Sequence, residues 1–258
     1  MRSKPIIVSA HQPNFIPYLG FFDKMMKSDI LVIRDEVLFV KKEFHNRNKI
    51  RINGNDPLNP QSKWISVPVI EEDDYIKHIK IKKDTRIKNM LWNKYILRDI
   101  KINYSKTPYF NNFYPQIEKI FLKNHDSLVS LNIEIIRYLA ECFGIKTKIV
   151  FASDLKLKSE HYEKSGASQD LADISKAFNA DIYLSGAGGV SYIDENPFDE
   201  INVKVEYQDY KHPEYSQAFQ GFLPYMSALD VLFNIGKFPE TIEYNTNKEL
   251  NPLIEIKH

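Results

Sequence analysis

The sequence contains one cysteine, Cys142, and so cannot form an internal disulfide bond. This near-absence excludes the disulfide-stabilised class of small secreted proteins and favours a reducing compartment. No apolar run approaches the roughly 18 residues that a membrane-spanning helix requires. Residues 1–9 hold only a short apolar stretch before His11, so we expect no signal peptide, no membrane insertion and a cytoplasmic location.

The sequence also lacks an excess of charge of either sign. Lys plus Arg number 35 and Asp plus Glu number 34, and the sequence pI is about 7.7. A balanced charge provides no field that would steer the protein onto nucleic acid, and we expect no nucleic-acid partner. There is no internal repeat, and 258 residues suffice for one domain with a full core, so we predict a single α/β domain over residues 1–258.

Two strand–helix–strand patterns predict the centre of the fold. In each pattern a helix is expected between the two strands. One spans residues 17–27, and the other begins at a segment that Ser168 would cap. Such units place their strands parallel, so the sequence predicts an open, mostly parallel sheet with Rossmann-like βαβ units. The four strands of these two units are residues 5–10, 30–33, 146–151 and 181–184, and a further strand is predicted at residues 203–207.

Residues 36–125 do not show this strand–helix–strand alternation. They contain the turn signal Asn53-Gly54, short strand-like segments and two predicted helices, at residues 84–100 and 113–123. We therefore predict an inserted mixed α/β segment or subdomain on the sheet. A helix with a capping-box-like start is expected at Ser227.

Unusual polar residues directly follow each of the four strands of the two strand–helix–strand units. In an open parallel sheet, ligands bind outside the carboxyl ends of the strands, so these residues are expected to converge at one edge. They are His11-Gln12-Pro13-Asn14, Arg34-Asp35-Glu36, Ser153-Asp154 and Ser185-Gly186-Ala187-Gly188-Gly189.

His11 and Asp35 are the predicted catalytic residues. An imidazole beside the amides of Gln12 and Asn14 can bind a phosphate, a sugar hydroxyl or a reacting oxygen. The alternative is a turn whose side chains only bind the backbone. Asp35 can act as a general base or a metal ligand, whereas the alternative is a solvated carboxylate or a helix cap.

Three further segments are predicted to bind substrate. The loop of Ser185, Gly186, Gly188 and Gly189 leaves backbone amides open to an anion, although a tight turn is the alternative. Residues 41–51 form a basic run with Asn46 and Arg47, which suits either a diphosphate clamp or an amphipathic strand. His212 and Gln217 lie among aromatic residues that suit a sugar or a base, or form a buried cluster.

The sequence identifies no cofactor. It contains none of the common zinc, calcium or P-loop motifs. His11, His45 and His212 with Asp35 lie too far apart in sequence to support a metal site, and we predict none.

Several blocks resemble the WbqC-like protein family over essentially the whole chain. They are HQPNFIPYLGFFDKMMKSDI, the HNRN run, YLSGAGGVSYID, and HPEYSQ followed by FLPYMSALDVLFNIG. The resemblance implies a role in O-antigen or other surface polysaccharide biosynthesis. It implies a transferase that binds a sugar nucleotide and acylates or aminoacylates its amino sugar, with an acyl or aminoacyl donor as second substrate. In this hypothesis His11 is an acid/base or phosphate-binding residue, and Asp35 takes a proton from the attacking amine.

Two alternatives remain open. The first is a non-catalytic module that binds a sugar nucleotide or a partner enzyme, since no nucleophile triad or metal motif is recognisable. The second is an ATP-using ligase of the nucleotidyl-transferase and class I synthetase-like group, in which a loop with histidine after a strand binds phosphates. The sequence has HQPN where that group has HxGH, so this second alternative is an analogy.

Overall fold

The computed structural model describes residues 4–54, 58–70, 74–155, 157 and 166–239. The strands are β1 (Ile7–His11), β2 (Ile30–Ile33), β3 (Arg47–Ile52), β4 (Gln61–Ser66), β5 (Val69–Ile70), β6 (Lys80–Ile81), β7 (Arg86–Ile87), β8 (Met90–Leu91), β9 (Lys148–Phe151), β10 (Ile182–Ser185) and β11 (Lys204–Tyr207). The α-helices are α1 (Leu19–Lys27), α2 (Trp92–Tyr104), α3 (Phe110–Leu122), α4 (Leu128–Cys142), α5 (Gly166–Ala177), α6 (Asn196–Asp199) and α7 (Ala228–Ile235). Short 3-10 helices span Ile76–His78, Ala152–Leu155 and Ala187–Ser191.

A five-stranded sheet in the order β11-β10-β1-β2-β9 forms the centre, and all of its neighbouring pairs are parallel. The predicted α/β fold is confirmed. All four residues of β2 are buried because helices cover both faces of the sheet. Six further strands form three antiparallel pairs within residues 36–125.

Strands that follow β1 in the sequence are added first on one side of it and then on the other. From β1 the chain passes to β2 and then β9 on one side, and it returns to β10 and β11 on the other side. β1 pairs with β2 at four positions, up to His11↔Ile33, but with β10 at only two, up to Val8↔Tyr183. The two strands therefore stop pairing before their carboxyl ends, at the topological switch point where open α/β sheets bind their ligands. We call this unpaired region between the ends of β1 and β10 the crevice.

Two apolar cores lie on opposite faces of the sheet. Leu31 and Ile33 of β2 face the larger core, whereas Ile30 and Val32 face the smaller core that α5 covers. The larger core includes α1 and side chains of the 36–125 segment such as Ile50. This segment therefore packs in the same core as the parallel sheet. None of the helices in the described part of the chain is long and apolar enough to span a bilayer.

Two local predictions are wrong, and a third holds in part. The helix expected at residues 84–100 begins at Trp92, because a hairpin of β7 and β8 precedes it with Lys88 and Asn89 at positive φ. Ser168 lies inside α5 and accepts a hydrogen bond from the amide of Asp194, so it does not cap the helix. The helix predicted to start at Ser227 is confirmed as α7, with Ser227 at its N-cap position, although the Ser227 side chain makes no capping hydrogen bond.

Candidate functional site

His11 is the last residue of β1 and lies at the crevice. Its ring packs edge-on against Phe21 at 4.8 Å between centroids, and Nδ1 is 2.9 Å from the carbonyl oxygen of Gln12. A carbonyl only accepts, so Nδ1 carries the proton and Nε2 has the free lone pair. Within the described residues Nε2 has no hydrogen-bond partner. Burial, with the charge of Lys24, lowers the pKa of His11 to about 3, so the ring is neutral at pH 7.

His45 holds the side chain of Gln12. Its Nε2 is 3.0 Å from Oε1 of Gln12, and its Nδ1 accepts a hydrogen bond from the amide of Val40 at 3.3 Å. These partners fix a neutral imidazole with the proton on Nε2. Burial lowers the pKa of His45 to about 4. The HQPN and HNRN segments are therefore in direct contact.

Asn132 of α4 connects the same two segments and was missed by the sequence reasoning. Its Nδ2 donates to the carbonyl oxygen of Pro13 at 2.6 Å and to that of His45 at 2.8 Å, in a fully buried position. The only sequence signal was an amide within a helix whose neighbours are Leu131 and Ile133. A buried amide that satisfies two loop carbonyls fixes the loop after β1.

Asp35 lies two residues beyond the end of β2 and is nearly fully buried. Its carboxylate binds Ser153, which follows β9, through both oxygens. No hydrogen bond joins Asp35 to His11 in the described part of the chain, although they follow adjacent strands. Arg34 pairs with Glu36 and, at 3.4 Å, with Asp170 of α5.

The glycine loop after β10 contains two kinds of position. A Cβ on Gly189 would lie 2.0 Å from Oγ of Ser185, so the packing of the loop requires glycine there. A Cβ on Gly186 or Gly188 would meet nothing within 4 Å. These two glycines therefore leave open space beside the end of β10, next to the crevice.

The cations of β3 are alternate residues and therefore lie on one face of the strand. Arg47 and Lys49 both stack on Trp64, with the Cζ of Arg47 4.2 Å from the ring centroid. Arg51 is buried, and its guanidinium donates to backbone carbonyl oxygens. The Nδ2 of Asn46, which precedes β3, donates to the carbonyl of Val67 at 2.9 Å. These contacts already engage the cations of β3, so they do not form a diphosphate clamp.

Gln217 belongs to a buried network away from the strand ends. It donates from Nε2 to Asp230 at 2.9 Å and accepts from Nε of Arg51 at 3.3 Å. Asp230 also accepts from the hydroxyls of Tyr104 and Tyr215, both at 2.8 Å. Burial raises the pKa of Asp230 above its usual range. These contacts join β3, α2 and α7 and give Gln217 a structural role.

His212 lies in an aromatic cluster. Its Nδ1 is 2.8 Å from the hydroxyl of Tyr210, and its Nε2 accepts from the amide of Tyr225 at 3.3 Å. Burial lowers the pKa of His212 to about 4. Tyr18, which precedes α1, contacts Tyr210 at 5.9 Å between ring centroids. The cluster therefore borders the loop that follows β1.

Comparison with known proteins places this architecture in a family. The model of the WbqC-like protein family matches residues 12–242. The chain belongs to the WbqC-like protein family. It is 31% identical over 240 residues to the uncharacterized protein Rv1507c of Mycobacterium tuberculosis, covering 92% of this chain and 97% of that protein. No solved structure matches the chain.

A cavity adjoins the strand edge of this WbqC-like protein. Its volume is about 600 Å³, and its lining includes His125, Glu134 and Arg137 together with Phe151, the last residue of β9. This volume is within the range of small-molecule sites. Within the described ranges, no group of three or more His, Cys, Asp or Glu residues could hold a metal ion.

Proposed function

We propose that this WbqC-like protein is a transferase that acylates or aminoacylates a nucleotide-linked amino sugar during surface polysaccharide biosynthesis. The observation that carries the proposal is the state of His11 at the switch-point crevice. Its ring is neutral, Nδ1 is held by the carbonyl of Gln12, and Nε2 is open to a ligand. An imidazole with a pKa of about 3 is a weak base, so His11 would accept the proton only once a bound anionic substrate raises that pKa.

The reaction needs one proton acceptor. The sugar amine attacks the carbonyl carbon of an activated acyl donor, and the new C–N bond replaces the bond to the leaving group. His11 Nε2 receives the proton that the nitrogen loses and returns it to the leaving group. Asp35 is the second candidate for this role, although both of its oxygens already bind Ser153. The cavity beside β9 offers space for the donor.

Residues around the crevice would position the sugar nucleotide. Gln12 and Asn14 follow His11, and the buried Oδ1 of Asn14 has no hydrogen-bond partner in the described structure. Ser185, Gly186 and Gly188 border the open space at the end of β10. Backbone amides there can approach phosphate oxygens because no Cβ covers them.

Mass-spectrometric transfer assays with nucleotide-linked amino sugars and acyl or aminoacyl donors test the proposal. We expect turnover by the natural protein and its loss in His11→Ala, with the midpoint of thermal unfolding unchanged. His78→Ala is the matched control, because the His78 side chain is exposed and, among the residues that the structure describes, contacts Asp74 and Tyr75. Unaltered turnover in His11→Ala would remove the assigned role of His11.

A thermal-shift screen separates the alternative functions, because a ligand that binds only the folded state raises the unfolding midpoint. If sugar nucleotides bind saturably but no transfer occurs with any of the acyl or aminoacyl donors, the protein is a binding module. ATP-dependent release of pyrophosphate would favour a ligase.

A further inference from the structure

Lys24 is a buried cation at the end of β1. It lies in α1 with 5% of its surface exposed, and its Nζ donates to the carbonyl oxygen of Ala10 at 2.9 Å. An ammonium group has three donors. In the described structure, the carbonyl of Ala10 is the one hydrogen-bond acceptor of Nζ.

The position of this carbonyl places Lys24 in the crevice. Carbonyl groups of alternate residues in a strand face the same neighbour. The carbonyl of Ile6 accepts from the amide of Ile182 at 3.1 Å, so the carbonyl of Ala10 also faces β10. Pairing between β1 and β10 ends at Val8↔Tyr183. The Nζ of Lys24 therefore lies where the next strand-to-strand hydrogen bond would have formed.

In the described structure no carboxylate pairs with Lys24 to balance the charge of its ammonium form. Among the residues that the structure describes, no ion pair includes Lys24, whereas Lys27, one turn later, pairs with Asp23 at 3.1 Å. A buried cation without a counter-ion is costly, and burial lowers the pKa of Lys24 to about 7. An anion in the crevice would remove this cost.

The opposite wall of the crevice is open. Gly186 follows β10 directly, and a Cβ there would meet nothing within 4 Å. His11, one residue after Ala10, offers its Nε2 at the same level of the sheet. A ligand between the walls would meet a cation on one side and uncovered backbone on the other.

We propose that the crevice between β1 and β10 is a phosphate subsite in which Nζ of Lys24 binds the phosphate oxygens. Phosphate fits better than carboxylate because it offers acceptors in several directions, toward Lys24 and toward the backbone at Gly186. This inference rests on the site of the proposed function and names the group that binds there, the diphosphate of the nucleotide-linked sugar.

Calorimetric titration with inorganic pyrophosphate tests the subsite. We expect Lys24→Met to weaken pyrophosphate binding by about tenfold or more, since a charge-assisted hydrogen bond is lost. The control Lys27→Met should change the affinity by less than about twofold, because Lys27, one turn further along α1, pairs with Asp23 and not with the carbonyl of Ala10. Since Met has a similar length and no charge, Lys24→Met should not lower the unfolding midpoint.

A second measurement uses the unmodified protein. Trace acetylation with acetic anhydride, read by peptide mass spectrometry, reports the reactivity of each lysine amine. Pyrophosphate should protect Lys24 and leave Lys27 unchanged. The subsite would be overturned if pyrophosphate does not protect Lys24 from acetylation, or if Lys24→Met binds pyrophosphate with the natural affinity. It would also be overturned if acetate displaces pyrophosphate at an equal concentration.

The outcomes for the two proposals are separable. Pyrophosphate binding that is lost in Lys24→Met, in a protein without transferase activity, keeps the subsite and rejects the proposed function. Transfer that continues at the natural rate in Lys24→Met rejects the subsite and keeps the function.

Discussion

Ser153 binds both oxygens of the Asp35 carboxylate. The amide of Ser153 donates to Oδ1 at 3.1 Å, and its hydroxyl donates to Oδ2 at 2.7 Å. The pair joins the ends of β2 and β9, two strands that are 118 residues apart along the chain. Because Asp35 is only 4% exposed, these hydrogen bonds replace the water that a carboxylate otherwise binds.

Ser153→Ala should separate the structural contribution of Asp35 from its chemical one. The substitution leaves a buried carboxylate oxygen without its hydroxyl partner, and we expect a loss of about 1–3 kcal/mol in the free energy of unfolding. Urea denaturation measures this loss. Ser191→Ala is the control, because its exposed hydroxyl binds only the carbonyl of Gly188.

Activity then distinguishes the two roles. If Asp35 takes the proton of the amine, Asp35→Asn abolishes transfer while Ser153→Ala keeps most of it. Equal losses of transfer in the two variants would show that Asp35 acts by holding the end of β2.

His45 should make the protein less stable as the pH falls below 7. Its folded-state pKa of about 4 lies below the ordinary value of 6.5, so between these values the unfolded state binds more protons. Stability is therefore complete above pH 6.5 and is lost as the pH falls toward 4. We expect His45 to account for about 2 kcal/mol of loss between pH 7 and 5.

Urea denaturation at several pH values measures this dependence. The slope of stability against pH should be flatter in His45→Gln than in the natural protein. The comparison uses slopes, so a constant loss of stability in His45→Gln does not affect it. An unchanged slope in His45→Gln would contradict the neutral state of the buried ring.

The two kinds of glycine should respond differently to alanine. Gly186 has φ −65° and ψ 158°, which any residue adopts, and the added Cβ would enter open space. Gly186→Ala should therefore keep or slightly raise the unfolding midpoint while it weakens pyrophosphate binding. Gly189→Ala should lower stability by about 1–3 kcal/mol, because the Cβ would collide with Ser185.

Thermal unfolding and calorimetry on the same two variants provide the check. Unchanged pyrophosphate affinity in Gly186→Ala would show that ligands do not approach the end of β10. A fully stable Gly189→Ala would show that the side chain of Ser185 can rotate away.

The sequence determined the local parts of the fold. Apolar runs such as Ile30–Ile33 predict buried strands, and the spacing of strand, helix and strand predicts parallel pairing. Because parallel strands end at one edge, the sequence also placed His11, Asp35 and Ser185 at the carboxyl end of the sheet. The sequence did not predict the hairpin of β7 and β8, because its turn, Lys88-Asn89, has no glycine.

Only the tertiary structure decided which strands are neighbours and where they separate. The crevice depends on β10 lying beside β1, a contact over 175 residues of sequence that no local pattern encodes. Lys24 is one of two lysines in an amphipathic helix, and burial beside Ala10 distinguishes it from Lys27. The partners of His45 and Asn132 are likewise distant in sequence. Residue types and spacing determine the elements, whereas the charge and protonation of each side chain depend on the neighbours that packing brings to it.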